Sequence, residues 1–172
     1  METELFVHFA EIAGVFVGFG ALISLRSTQP TDPHDVMYLR SVLGLGVWVV
    51  VCALVPIAVN RYGVHGHALW LSCASLALAI WAVFLVALSR SAESRSINSS
   101  PEWIDRMFPV VGLPLHVITA GSLLLAVLGL WRSADEALYV TALTGGVIFA
   151  GYTLLAYSLS GAHESHVVEA DR

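Results

Sequence analysis

The chain is 172 residues long, 57% hydrophobic and only 12% charged, with a mean hydropathy of +0.77. A soluble domain carries about 25% charged residues, so there is too little polar surface here to coat a water-soluble globule, and the composition points to a membrane protein. A net charge of -5 argues against a nucleic-acid-binding surface.

Apolar runs of about 18 residues or more mark bilayer-spanning helices. Five are predicted: Leu5–Leu25, Val42–Val59, Ala68–Leu88, Met107–Trp131 and Ala137–Leu159. Helix is required because backbone groups in lipid must bond within their own segment, and no barrel-like alternation occurs. The expected fold is an all-α transmembrane bundle in a single integral membrane domain over 1–172. Residues 89–100 are expected as a flexible cytoplasmic loop and 161–172 as a polar cytoplasmic tail.

The first span, "FVHFAEIAGVFVGFG", places a histidine and a glutamate within an apolar stretch. Its leading end, Met1-Glu2-Thr3-Glu4, is acidic and no small-residue cleavage site follows, so it reads as a retained helix rather than a secretory signal. At about 100° per residue, Glu4, His8 and Glu11 share one face, with Gly14 and Gly18 on or beside it. Leu5, Phe6, Phe9, Ile12, Phe16, Phe19 and Ile23 occupy the other. The expectation is that the bulky face meets lipid and the small, charged face meets protein. Gly14-x-x-x-Gly18 permits close helix approach. A charge at the depth of Glu11 costs roughly 2.5–3.5 kcal/mol on insertion scales. His8, three residues earlier, can hold it charged, so Glu11 and His8 form a candidate intramembrane polar site.

The second span opens at Asp32-Pro33-His34-Asp35, a cap with proline at the first helical position. Pro56 lies inside it, and Gly63 is a helix stop. Arg61, at its end, is the nearest candidate counter-charge for Glu4 and Glu11. His65-Gly66-His67 follows in a loop, and His163-Glu164-Ser165-His166 lies in the tail. Both read as solvated histidines, since neither has further ligands at metal-site spacing. Cys52 and Cys73 fall in apolar runs and read as small buried hydrophobes.

In the fourth span, opened by Ser99-Ser100-Pro101-Glu102, His116 shares a stripe with Gly112 and Thr119, after Pro109 and Pro114. It is the third candidate polar residue. Ser133-Ala134-Asp135-Glu136 fits a capping box opening the fifth span. That span carries Ala142-x-x-x-Gly146-x-x-x-Ala150, a second close-packing strip, and Gly161 is its expected stop.

All cations are arginine, which suggests a GC-rich bacterial genome. Arg26, Arg40, Arg90, Arg95, Arg106 and Arg172 fall on one side of the spans, and only Arg61 and Arg132 on the other. By the positive-inside rule the N-terminus is outside and the C-terminus cytoplasmic, in a bacterial inner membrane. Trp70 and Trp131 are then expected at the outer interface and Trp103 at the inner one.

"FAEIAGVFVGFGALI", then "YLRSVLGLG", Pro56 in the second span and Trp70 opening the third, resembles a loose group of uncharacterised bacterial multipass membrane proteins. The resemblance covers about the first 90 residues; it implies the multipass topology and carries no activity.

Membrane enzymes need clustered nucleophiles, metal ligands or paired acids, and no such pattern is present. Neither a cofactor nor a metal is expected. Secondary transporters usually show two repeated halves, which five spans do not provide. The expected function is therefore a non-enzymatic membrane component assembling, with itself or a partner membrane protein, through the glycine faces at Gly14, Gly18 and Gly146. The alternative is a small proton or cation pathway through Glu11 and His8, extended to His116.

Overall fold

Each of the five apolar runs becomes an α-helix, and no strand occurs among the described residues. A computed structural model describes residues 2–26, 33–90 and 103–170, with side chains over 2–23, 36–90 and 110–157. The helices are α1 (Thr3–Arg26), α2 (Pro33–Arg61), α3 (His67–Arg90), α4 (Trp103–Leu128) and α5 (Asp135–Ala170). All five contain a stretch long and apolar enough to cross a membrane. The loop expected over 89–100 and the cap ahead of the fourth span lie largely outside the described residues, as do the side chains of Trp103 and of His163 and His166.

The ends follow local chemistry. Helix α2 starts at Pro33, whose fixed φ suits a first helical turn and whose missing N–H costs nothing there. It ends at Arg61, where Gly63 takes φ 82° and donates its N–H to the Asn60 carbonyl at 3.1 Å. Helix α4 stops at Leu128, short of the expected Trp131. Gly129 adopts φ 62°, and its N–H reaches the carbonyls of Leu125 and Ala126 at 3.1 and 3.3 Å. A left-handed glycine is a common helix terminator. A short 3-10 turn, Arg132–Ala134, then leads into α5 in place of the expected capping box, with no side-chain cap on it. Gly161 does not stop α5, and the expected tail is helical to Ala170. A glycine with ordinary helical φ costs only about 1 kcal/mol in a helix interior.

The first turns of α1, α3 and α5 meet at one end of the bundle. Phe6, Trp70 and Tyr139 form a three-ring cluster with centroids 5.5–6.2 Å apart. Trp70 is therefore interior rather than part of an aromatic belt, while Trp131 and Tyr62 are exposed at the same end. Helices α2 and α5 are central: α2 packs against α1, α5 and α3, and α4 joins α3 to α5. Cys52 and Cys73 are buried and free.

Helix α1 faces the opposite way from the expectation. Phe6 is 0% exposed and Ala13 and Gly20 are buried, with Phe9 and Phe16 half-buried against the core. Glu4, His8, Glu11, Gly14 and Gly18 are exposed. The physical reason lies in what α1 meets. Gly46 of α2 brings Val17 and the Ala13 carbonyl close, the ring of Phe16 approaches Gly151, and Phe6 completes the ring cluster. The aromatic side is the one with complementary sockets.

A Cβ at Gly46 would stand 2.6 Å from Val17 and 3.2 Å from the Ala13 carbonyl oxygen, whereas Gly14 has nothing within 4 Å. Gly46→Ala is expected to lower stability by about 1–3 kcal/mol through overpacking. Gly14→Ala in monomeric detergent solution should instead add about 0.5–1 kcal/mol of helix propensity. Unfolding in mixed micelles with rising sodium dodecyl sulfate checks both, and equal effects would mean α1 and α2 do not meet along this line.

Candidate functional site

The candidate polar residues fall at three separate places among the described residues. The first is the outward face of α1. His8 Nδ1–H donates to Glu11 Oε2 at 3.0 Å, and the two side chains are 67% and 65% exposed. Gly14 and Gly18 have nothing within 4 Å of where a Cβ would stand, so among the described residues no other helix packs on them. Phe6 fixes the depth. Glu11 lies five residues further along the helix, about 8 Å below the ring cluster at 1.5 Å per residue. A carboxylate there points away from the bundle at a level that lipid tails would occupy.

The second place is an aromatic layer deeper in the bundle. Trp48, Trp81, His116 and Phe149, one each from α2, α3, α4 and α5, stand in sequence with centroids 4.8, 5.0 and 4.8 Å apart. His116 presents edge-on contacts to both Trp81 and Phe149. Its Nδ1 is buried with no hydrogen-bond partner, as are Trp81 Nε1 and Thr119 Oγ1. Gly112 admits the Phe149 ring, and Gly146 of α5 admits Trp48, which would stand 2.7 Å from an added Cβ. His116 and Glu11 are not brought together. One is held between rings on α3 and α5, and the other lies on the side of α1 turned away from α2.

The third place is the bundle end. His67 Nδ1–H donates to Asp135 Oδ2 at 2.6 Å, with Asp135 1% exposed and its Oδ1 without a partner. The expectation of two solvated loop histidines therefore fails for His67, which clasps the start of α3 to the start of α5. His65 Nδ1–H donates to Asn60 Oδ1 at 2.7 Å and stays exposed. His67 and Asp135 are 68 positions apart, so only the fold could pair them. Arg61 is exposed and forms no ion pair with Glu4 or Glu11 among the described residues.

Among the described residues, no three His, Cys, Asp or Glu side chains cluster as a metal site. The groove between α2 and α3 is lined by apolar residues, including Leu43, Val47, Val51 and Ile80. Comparison with known proteins found no matching family model, no similar curated protein and no similar solved structure.

His67→Ala leaves a buried carboxylate with neither oxygen bonded, and is expected to cost about 1–3 kcal/mol of stability. His67→Gln, which keeps a donor, should cost less. Denaturant unfolding of the two variants checks the ranking, and a neutral His67→Ala would show that the clasp contributes nothing.

Proposed function

We propose that the chain is a non-enzymatic component of a membrane assembly and that the outward face of α1 is its contact surface. The observation that carries this is Glu11, largely exposed on a membrane-length helix beside two glycines with open space over them. Lipid tails cannot solvate a carboxylate, and polar residues in spans normally face protein or a water-filled cavity. Small residues beside it let a second helix come close. The distribution of arginines supports placing the chain in a bacterial inner membrane, N-terminus outside and C-terminus cytoplasmic.

A proton or cation pathway is the second reading, favoured by the 3.0 Å His8–Glu11 pair. On this reading the path runs along the assembled α1 face rather than through one bundle to His116.

Gly14→Leu and Gly18→Leu are expected to weaken assembly about tenfold each, near the 1–2 kcal/mol of a membrane helix contact. Phe19→Leu, exposed but off the glycine side, should change it little. Energy transfer between labelled chains in vesicles measures this, and equal tolerance of all three would remove α1 as the contact surface. In the same vesicles Glu11→Gln separates the two readings. Loss of a pH-driven flux with assembly intact favours the pathway, and loss of assembly with no flux in either form favours the contact.

A further inference from the structure

We propose that the groove between α2 and α3 holds one acyl chain of an anionic phospholipid, with Arg40 and Arg90 taking the phosphate at its end. This site does not depend on how the outward face of α1 is used.

The groove has a volume of about 360 Å³, inside the range of roughly 300–1,000 Å³ that ligand pockets occupy. Helix α2 lines it with Leu43, Val47 and Val51, and α3 with Ile80 and Phe84. Val47 is 51% exposed and Val51 38%, so the groove opens to the outside of the bundle at membrane depth. Trp48 forms part of its wall and carries the one polar side-chain atom of the lining, Nε1, which is already committed to the Ala77 carbonyl at 3.0 Å. The groove therefore has nothing to offer a polar ligand and takes hydrocarbon.

Charge stands at one end of it. Arg40, Gly44, Val47 and Val51 are spaced 4-3-4, which sets them on one stripe of α2, and Arg40 is exposed. Trp48 packs on Trp81 with centroids 4.8 Å apart, and Phe84 lies on Gly44, so the two helices run antiparallel at this level. Arg40 is then about 6 Å beyond the Gly44–Phe84 contact and Arg90, also exposed, about 9 Å beyond it in the same direction. From Val51 to Arg40 is about 16 Å along α2, close to half of the ~30 Å hydrocarbon core. A lipid of one leaflet with its phosphate at the arginines thus lays an acyl chain along the whole groove. Guanidinium groups pair with phosphate through several N–H donors at once, and basic pockets between spans are where anionic headgroups settle. A protein helix fits this place less well. The lining's glycine, Gly44, is already covered by the Phe84 ring, so no small residue is left to let a second backbone come close.

The test uses the full chain in phosphatidylcholine vesicles that carry a small fraction of phosphatidylglycerol with a photoactivatable group halfway along one acyl chain. Leu113 and Val117 serve as references: they flank His116, which packs on Trp81, and are 67% and 63% exposed. Adducts on Val47, Val51 and Ile80 are expected at least about threefold above those on the two references, because a groove retains a chain that an open surface exchanges. A phosphatidylcholine probe with the same chain should label the groove at least about threefold less, and Arg40→Gln combined with Arg90→Gln should abolish that difference. Labelling that follows exposure alone, higher at Leu113 and Val117 than in the groove, would overturn the acyl-chain site. Equal labelling of the groove by both headgroups would overturn the anionic lipid, and a difference that survives the double variant would overturn the arginines as its cause. A groove left unlabelled while Val47→Cys chains form disulfide-linked dimers would put a second copy there and overturn the lipid. The comparisons of position and headgroup are read on the wild-type chain, so they decide the matter even where the double variant fails to fold.

Discussion

In a bilayer, every backbone carbonyl that loses its helical donor must find another, because no water is there to supply one. Pro56 creates that problem inside α2: it has no N–H, so the carbonyl of Cys52, four residues earlier, goes without its helix bond. The hydroxyl of Tyr139 supplies the missing donor at 2.7 Å, from α5. This bond joins the two central helices, and it fixes the position of the ring that Phe6 and Trp70 pack against. The placement of α1 and α3 at this end therefore follows from a proline's missing proton. One turn deeper, Trp48 Nε1–H donates to the Ala77 carbonyl at 3.0 Å and ties α2 to α3 in the same manner.

Around those bonds the bundle is assembled by seating large side chains over glycines. Trp48 lies at Gly146, Phe149 at Gly112, Phe84 at Gly44 and Val17 at Gly46. Between membrane helices the lipid is as apolar as the side chains, so shape rather than water exclusion decides the contacts. A ring gains dispersion contacts only where a neighbour has left room for it. This explains why α1 turns Phe6, Phe9 and Phe16 inward, whereas Phe19 stays exposed. Lipid accepts an aromatic face without penalty, but a glycine socket offers it more contacts, and sockets exist on α2 and α5.

The five spans, the start of α2 at Pro33 and its stop near Gly63 were legible because they rest on length, hydropathy and local backbone chemistry. The two sides of α1 were legible too, since 3.6-residue periodicity shows which residues share a face. Which side turns inward was not. In water an apolar face must be buried, but lipid solvates an apolar face, so periodicity no longer says that this face turns inward. The sequence placed Glu11 and the glycines against protein because polar groups seek it, and gave the phenylalanine side to lipid because nothing in the periodicity shows that α2 and α5 offer it sockets. The clasp between His67 and Asp135 was hidden for a different reason: it joins a loop residue to a presumed cap, and nothing in either neighbourhood signals the other. Gly129 was overlooked as the stop for α4 because Leu130 and Trp131 prolong the apolar run beyond it.

The depths of the polar groups bear on how such a chain works. His67 and Asp135 lie at the bundle end, His116 is enclosed by rings below it, and His8 and Glu11 lie outside altogether. A proton path through one bundle needs successive donors and acceptors within hydrogen-bond reach. Around His116 the neighbours are Trp81 and Phe149, presenting edges and faces rather than acceptors, and Nδ1 has no partner to pass a proton to. The interior is thus organised as a packed core with isolated polar atoms. Among the described residues, the titratable couple His8 and Glu11 lies on the surface of α1 with open space over the neighbouring Gly14 and Gly18. If the outward face of α1 is a contact surface, as proposed, assembly and conduction would converge on these residues and differ only in whether the joined face is dry.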